Sequence, residues 1–122
     1  MKRFFKRLFR QLAVLAVTAW ARINYRKGVR MADARHKKEK VTVYLAAENF
    51  HPDRLRTYTK REFKTEKHVF GFHARLLTMT TLRRGCYYYT PDGYGNNAMT
   101  PREREVKRRF FIRERLQRAG LV

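Results

Sequence analysis

The first 31 residues contain no proline and only one glycine, Gly28, and this constrains the fold more than any other feature of the chain. Proline and glycine most strongly disfavour a helix interior, so the segment is predicted to form one long helix. Apolar residues recur along it at intervals of three and four, a spacing that places side chains on one helical face. The residues of this face are Phe4, Leu8, Leu12, Leu15, Ala19 and Ile23.

Residues 12–21 are nearly all apolar, which leaves three interpretations open. A transmembrane helix needs about 20 apolar residues, and this run is half that length with arginines on both sides. A secretory signal would end at Ala19-Trp20-Ala21, although Arg22 and the basic residues after it are unusual at the start of a mature chain. The favoured interpretation is an amphipathic helix that lies on a membrane surface, docks on a partner or packs on the protein's own domain.

The basic and aromatic start of the chain is typical of helices that bind at a membrane interface. Basic pairs alternate with pairs of bulky apolar residues from Lys2 to Arg10. The bulky apolar residues, with the tryptophan that follows, are therefore the expected membrane-binding or partner-binding residues. They are Phe4, Phe5, Leu8, Phe9, Leu12, Leu15 and Trp20.

Positive charge is the second constraint. Thirty Lys and Arg oppose ten Asp and Glu, which gives a formal net charge of +20. Residues 1–40 carry a net +11, residues 41–100 a net +4 and residues 101–122 a net +5. A charge this large makes a compact chain repel itself and favours a polyanionic partner. The candidate partners are nucleic acid, an anionic membrane surface and an acidic protein.

The middle of the chain carries the signals of a small antiparallel sheet. After a charged stretch over residues 32–40, the runs 41–45 and 55–59 are rich in β-branched and aromatic residues. Turn-forming residues over 48–53 separate the two runs, so they predict a β-hairpin. Residues 86–90 predict a third strand.

Two helical segments are predicted between these strands. Thr59 and Glu62 have the spacing of a capping box, which predicts a helix over residues 60–70 that ends at Gly71. A further helical turn is predicted to end at Gly85.

The last helix has the clearest start signal in the chain. Thr100 is a capping residue, Pro101 occupies the first helical position and Glu103 the third. The helix is predicted to continue to Arg118, with Gly120 as its stop. The predicted fold is α+β: residues 1–31 form an amphipathic basic helix, and residues 32–122 form a small domain that ends in a basic helix.

The faces of this last helix suggest a function. At about 100° per residue, one arc is apolar and predicted to be buried, and the opposite arc is basic and includes an aromatic ring. The apolar arc contains Val106, Phe110, Ile112 and Leu116. Cations beside an aromatic ring can bind phosphates and stack on an unpaired base, which predicts nucleic-acid binding. The predicted nucleic-acid-binding residues are Arg104, Lys107, Arg108, Phe111, Arg115 and Arg118.

A structural alternative exists for the same helix. Phe111 would then pack against the N-terminal helix, and the charges would form a solvated face held by ion pairs four residues apart. Those pairs are Glu103 with Lys107 and Glu114 with Arg118.

The sequence lacks the patterns expected of a catalytic or metal centre. Cys86 is the only cysteine, which excludes an intrachain disulfide and favours a small packed residue. The spacing of His68 and His73 does not suit two metal ligands on one helix face, and no phosphate-binding glycine loop is present. We therefore expect no enzyme activity, no metal and no cofactor.

Several segments resemble small basic proteins of gut-bacterial phages and prophages. They are the basic-aromatic N-terminal helix and the stretches 32–37, 60–63 and 87–90. That family has no established function, so the resemblance implies a phage context and no site. The residues themselves favour binding to nucleic acid through phosphates, with little sequence specificity. The alternative is a membrane-surface or virion-assembly protein anchored by the N-terminal helix, and the expected location is cytoplasmic, peripheral to a membrane or within a virion.

Overall fold

The computed structural model describes residues 2–48, 51–65 and 79–122. Within these ranges the order of elements is α1 (Lys2–Glu39), β1 (Val43–Glu48), β2 (His51–Thr59), α2 (Lys60–Thr65), α3 (Met79–Gly85), β3 (Tyr88–Tyr89) and α4 (Pro101–Arg118). The strands form one antiparallel sheet in the order β2-β1-β3. The predicted α+β fold, with its long N-terminal helix, small antiparallel sheet and C-terminal helix, is confirmed.

Helix α1 is continuous for 38 residues, so the charged stretch after residue 31 belongs to it and no break marks the predicted domain boundary. The helix ends where Lys40 adopts a left-handed conformation with φ 56°, and its amide donates to the His36 carbonyl at 2.7 Å. Across the described ranges, no helix combines the length and the hydrophobicity that crossing a bilayer requires.

The predicted hairpin is present, with longer strands than the sequence suggested. Strand β1 pairs with β2 from Val43–Thr59 to Ala47–Leu55, and β1 pairs with β3 through Leu45–Tyr88. The strands continue to Glu48 and resume at His51, so most of the predicted turn is strand, and residues 49–50 lie outside the described residues.

The sheet has a core on each face because successive strand residues point to opposite sides. On one face, Val43 and Leu45 pack with residues of α1 and with Phe111 of α4. On the other face, Tyr44 packs with Tyr58 and with residues around α3. The first core includes the buried residues of α1: Ala21, Tyr25, Val29 and Ala32.

Gly28 sets how closely α1 approaches the sheet. A Cβ atom at this position would lie 2.8 Å from Cδ2 of Leu45 and 3.2 Å from Cδ1 of Leu55. Glycine at this position therefore avoids a steric conflict and lets the backbone of α1 pack directly on the Leu45 and Leu55 side chains. The second half of α1 is fixed on the sheet by this contact.

Three consecutive tyrosines connect the sheet region to the helices. Tyr88 donates its hydroxyl to Asp33 of α1 at 2.6 Å, and Tyr89 donates to Glu103 of α4 at 3.0 Å. Tyr87 donates to Glu114 of α4, and the hydroxyl of Tyr25 donates to the Tyr87 carbonyl at 2.8 Å. Each bond satisfies a partly buried polar group, so together these residues orient α1 and α4 relative to the sheet.

The predicted helix caps are present. The Glu62 amide donates to Thr59 Oγ1 at 3.4 Å, and the Thr59 amide donates to Glu62 Oε1 at 3.0 Å, as a capping box requires. The described part of α2 ends at Thr65, so its predicted extension to residue 70 and the stop at Gly71 lie outside the described residues.

Helix α4 has its predicted start and end. The Glu103 amide donates to Thr100 Oγ1 at 3.1 Å, and Pro101 is the first helical residue. After Arg118 the chain turns at Gly120, whose φ is 71°.

The predicted buried face of α4 is wrong for Val106 and Phe110, whereas Ile112 does pack against the first core. The buried residues of the helix are Phe111 and Arg115, whereas Val106 is 60% exposed and Phe110 is 56% exposed. A prediction from hydrophobicity alone fails at these positions because Trp20 and Tyr25 of α1 contact Arg115 and Phe111 of α4. An arginine can stack on such rings as well as an aliphatic side chain can pack on them.

Candidate functional site

The aromatic residue of the predicted nucleic-acid-binding set is not accessible. Phe111 is 1% exposed, and its ring lies 5.7 Å from Tyr25 and 5.0 Å from Tyr87, centroid to centroid. The prediction of an exposed stacking ring on α4 is therefore wrong, and the alternative that Phe111 packs against the N-terminal helix is confirmed. The ring is enclosed because α4 packs on the side of α1 that carries Tyr25.

Two cations of the same set are used inside the protein. Arg115 is 5% exposed, and its guanidinium lies 4.7 Å from the centre of the Trp20 ring. The ammonium of Lys107 donates to the carbonyls of Arg83 at 2.6 Å and Cys86 at 2.7 Å. Lysine here satisfies carbonyls at the end of α3 that the helix itself leaves without partners. Both cations make contacts within the protein, whereas the sequence suggested that they face solvent.

The remaining cations of the set lie at the surface but not together. The Arg104 guanidinium lies 5.5 Å from the centre of the Tyr88 ring, and Arg108 donates to Glu105 at 2.6 Å. Arg118 is exposed at the far end of α4. The six predicted residues thus do not form one continuous basic surface.

The first half of α1 has the opposite character. Every side chain from residue 2 to residue 12 is exposed. The seven predicted membrane-binding or partner-binding residues each expose between 41% and 70% of their surface. They are Phe4, Phe5, Leu8, Phe9, Leu12, Leu15 and Trp20. Monomeric soluble proteins rarely expose contiguous apolar patches of this kind, so this surface is expected to bind a partner or a membrane.

The exposed apolar residues and the buried residues of α1 lie on different faces. At about 100° per residue, the six bulky residues from Phe4 to Leu15 fall within an arc of about 140°. The centre of that arc lies about 140° from the centre of the buried residues Ala21, Tyr25, Gly28, Val29 and Ala32. We call the first arc the apolar face. This face points away from the surface on which α1 packs, and no other described element covers it.

The charge around the apolar face is uniformly positive. Residues 2–32 contain nine Lys and Arg and no Asp or Glu. Elsewhere, most described carboxylates already have partners. Tyrosines donate hydrogen bonds to Asp33, Glu103 and Glu114. Arginines form ion pairs with Glu39, Glu62 and Glu105. Asp92 accepts hydrogen bonds from the backbone amides of Tyr94 and Asn96.

A groove between α1 and α4 collects further cations. Arg22 and Arg26 of α1 face Arg104 and Arg108 of α4 across it, and Tyr25 forms part of its wall. Arg22 and Arg26 are not among the binding residues predicted from the sequence. Their spacing of four residues was the available signal, because residues four apart share a helix face.

The buried thiol of the core is held in its neutral form. Burial raises the pKa of Cys86 to about 11, despite the nearby Lys107 charge, so the thiol stays protonated at neutral pH. Cys86 is 5% exposed, which confirms that it is a packed residue. Among the described residues, no cluster of His, Cys, Asp and Glu could hold a metal, and His68 and His73 lie outside these residues.

Comparison of this chain with protein-family models, with curated proteins and with solved structures gives no match.

Proposed function

We propose that this protein binds anionic membrane surfaces through the apolar face of α1. The proposal rests on the position of that face, which is exposed and lies on a different side of α1 from the buried residues between Ala21 and Ala32. A helix that lies in the interface plane buries one face among the acyl chains and keeps its cations at the headgroups. In this orientation the sheet and α4 lie on the side away from the bilayer.

Charge favours a lipid surface over a second copy of the chain. Two copies packed through their apolar faces would bring together two segments with nine cations each and no carboxylate. Such like charges repel at short range, and only salt would screen them. An anionic bilayer supplies both an apolar interior and negative headgroups, and each cation near its surface contributes about 1 kcal/mol.

Nucleic-acid binding is the second candidate, favoured by the excess of cations over carboxylates. Arg22 and Arg26 have no ion pair with the described residues and could contact phosphates. This candidate leaves the apolar face without a role, because phosphates cannot cover phenylalanine and leucine side chains. Phosphate contacts also predict an affinity that falls steeply with salt, whereas burial of apolar surface does not.

The single tryptophan gives a direct test. Trp20 is 47% exposed beside the apolar face, so its emission should shift to shorter wavelength when the face enters a bilayer. The protein is titrated with vesicles of phosphatidylcholine alone and with vesicles that also contain phosphatidylglycerol. We expect a blue shift with the anionic vesicles, and co-sedimentation that partly survives high salt.

A matched pair of variants separates apolar burial from charge. Phe9→Asp and Gln11→Asp each add one negative charge at an exposed position of the same helix, but only Phe9 lies on the apolar face. Phe9→Asp should weaken vesicle binding at least about tenfold more than Gln11→Asp, since it also removes a ring that the bilayer buries when the protein binds. Equal effects of the two variants would show that binding is electrostatic only and would reject the proposal.

A further inference from the structure

The groove between α1 and α4 has the size and composition of a binding site. Its volume is about 360 Å³, within the range of small-molecule sites. Four arginines line it: Arg22 and Arg26 from α1, and Arg104 and Arg108 from α4. None of these four arginines belongs to either hydrophobic core.

The arginines are arranged as two facing pairs. On each helix the two residues are four apart, so they project from successive turns of one face. Like charges at this spacing repel and destabilise a helix, and an anion between them would remove that repulsion. The groove also lies at the N-terminal end of α4, where the helix dipole favours negative charge.

The carboxylate that also lines the groove is already neutralised. Glu105 accepts hydrogen bonds from Arg108 at 2.6 Å and from Arg109 at 3.1 Å. The hydrogen bond from Arg108 is the main cause that lowers the pKa of Glu105, and that from Arg109 adds to it. The carboxylate of Glu105 therefore stays ionised and paired with these two arginines. Arg22 and Arg26 have no carboxylate partner among the described residues, so the α1 side of the groove keeps its full positive charge.

We propose that this groove binds the phosphomonoester dianion of a lipid headgroup. A phosphomonoester carries about −1.5 to −2 charge at neutral pH and three acceptor oxygens, which suit several arginine forks at once. A phosphodiester headgroup offers one charge and fewer free oxygens, so it satisfies fewer of the four guanidinium groups. This inference rests on the proposed membrane binding and assigns it a headgroup class.

The position of the groove along α1 supports a lipid as the source of the phosphate. Leu8, Leu15 and Arg22 follow one another at intervals of seven residues, and Arg26 lies one turn further. These intervals keep all four residues near one line along the helix. With α1 in the interface plane, Arg22 and Arg26 therefore lie over the same leaflet as Leu8 and Leu15, and their long side chains reach its headgroups.

The test compares vesicles of equal surface charge. One set contains phosphatidate, a monoester, and the other contains enough phosphatidylglycerol, a diester, to match its negative charge. Binding of the full chain is followed by Trp20 emission for wild type, for Arg22→Gln with Arg26→Gln, and for Lys27→Gln with Arg30→Gln. Both double variants remove two exposed cations from the same part of α1, but only the first pair lines the groove.

Wild type should prefer phosphatidate vesicles by roughly tenfold, the effect of one additional hydrogen bond to a charged group. The groove variant should lose this preference, while the control keeps it. Both variants should bind phosphatidylglycerol vesicles more weakly, by roughly thirtyfold, because each lacks two cations near the surface. Equal affinity of the wild type for the two vesicle types would overturn the headgroup assignment and leave the proposed function intact. Failure to bind either type would reject both.

Two competitors identify the source of the phosphate. Glycerol 3-phosphate carries the same monoester without acyl chains, and a single-stranded oligonucleotide carries diesters. We expect millimolar glycerol 3-phosphate to reduce the phosphatidate preference without releasing the protein from the vesicles. If the wild type instead binds the oligonucleotide more tightly than phosphatidate vesicles, and the groove variant loses that binding, the groove is a nucleic-acid site and the lipid assignment is wrong.

Discussion

The first half of α1 and the whole of α4 are both helices rich in arginine and aromatic residues, but their aromatic residues have opposite environments. Phe9 in α1 is 70% exposed, whereas Phe111 in α4 is 1% exposed. The difference comes from what lies opposite each helix. Helix α4 and the residues after it lie against the middle of α1, from Tyr25 beside Phe111 to Arg10, which donates to the Leu121 carbonyl. The apolar face of the first half of α1 has no covering element among the described residues. Similar local sequences therefore serve internal packing in one place and an external surface in the other.

The largest effect expected from this comparison is the loss of stability in Phe111→Ala. Removing a buried ring leaves a cavity between α1 and α4, which costs about 3–5 kcal/mol of unfolding free energy. The neighbouring Phe110 is 56% exposed, so Phe110→Ala should change stability by less than about 0.5 kcal/mol. Urea unfolding followed by circular dichroism measures both variants. Similar losses in the two would show that the assigned packing face of α4 is incorrect.

The next effect concerns a cation that the sequence suggested was a ligand-binding residue. Lys107→Ala removes the donor to the Arg83 and Cys86 carbonyls, and leaving such partly buried groups without partners costs about 1–3 kcal/mol. Arg109→Ala is the control, because its side chain is 78% exposed. Thermal unfolding should separate the two variants by several degrees. A Lys107→Ala protein as stable as the control would contradict the packing role.

A smaller effect is expected on membrane binding. Phe9→Ala should weaken binding to anionic vesicles by about 1–2 kcal/mol, because most of this ring is exposed in the free protein and becomes buried in the bilayer. Its unfolding free energy should stay within about 0.5 kcal/mol of wild type. Phe110→Ala provides the comparison on α4, and we expect its vesicle affinity to match wild type. If it weakens binding as much as Phe9→Ala does, the membrane contact is not confined to α1.

The smallest effect is a pH dependence confined to the packed half of α1. Burial raises the pKa of Tyr25 to about 12, against an opposing effect of the Arg104 charge, from an ordinary value of 10.0. The native state therefore holds this proton more tightly, so the associated stability is complete below pH 10 and is lost as pH rises towards 12. The loss is on the order of 1 kcal/mol, because the hydroxyl is only partly shielded.

Tyr25→Phe tests this assignment, because the variant has no hydroxyl to titrate. Its unfolding free energy, measured from pH 9 to pH 12, should decline less than that of wild type. Parallel curves for the two proteins would exclude Tyr25 as a source of the decline.

Local chemistry in the sequence determined the positions of most elements. A capping residue acts within one helical turn, so Thr100 with Pro101 and Thr59 with Glu62 located the starts of α4 and α2 directly. The β-branched runs located the hairpin for the same reason, since strand propensity and turn residues are local. Likewise, the absence of proline up to residue 31 predicted α1, although not its extension to Glu39.

Which side chains are exposed was decided by the tertiary structure. Hydrophobicity predicted Val106 and Phe110 inside and Phe111 outside, and the structure has the reverse. Two arcs of a helix compete for burial, and the outcome depends on the shape and chemistry of the opposing surface, here the aromatic side of α1. The groove of four arginines has the same origin. Arg22 and Arg104 are 82 residues apart in the sequence, and only the antiparallel packing of α1 and α4 brings their charges together.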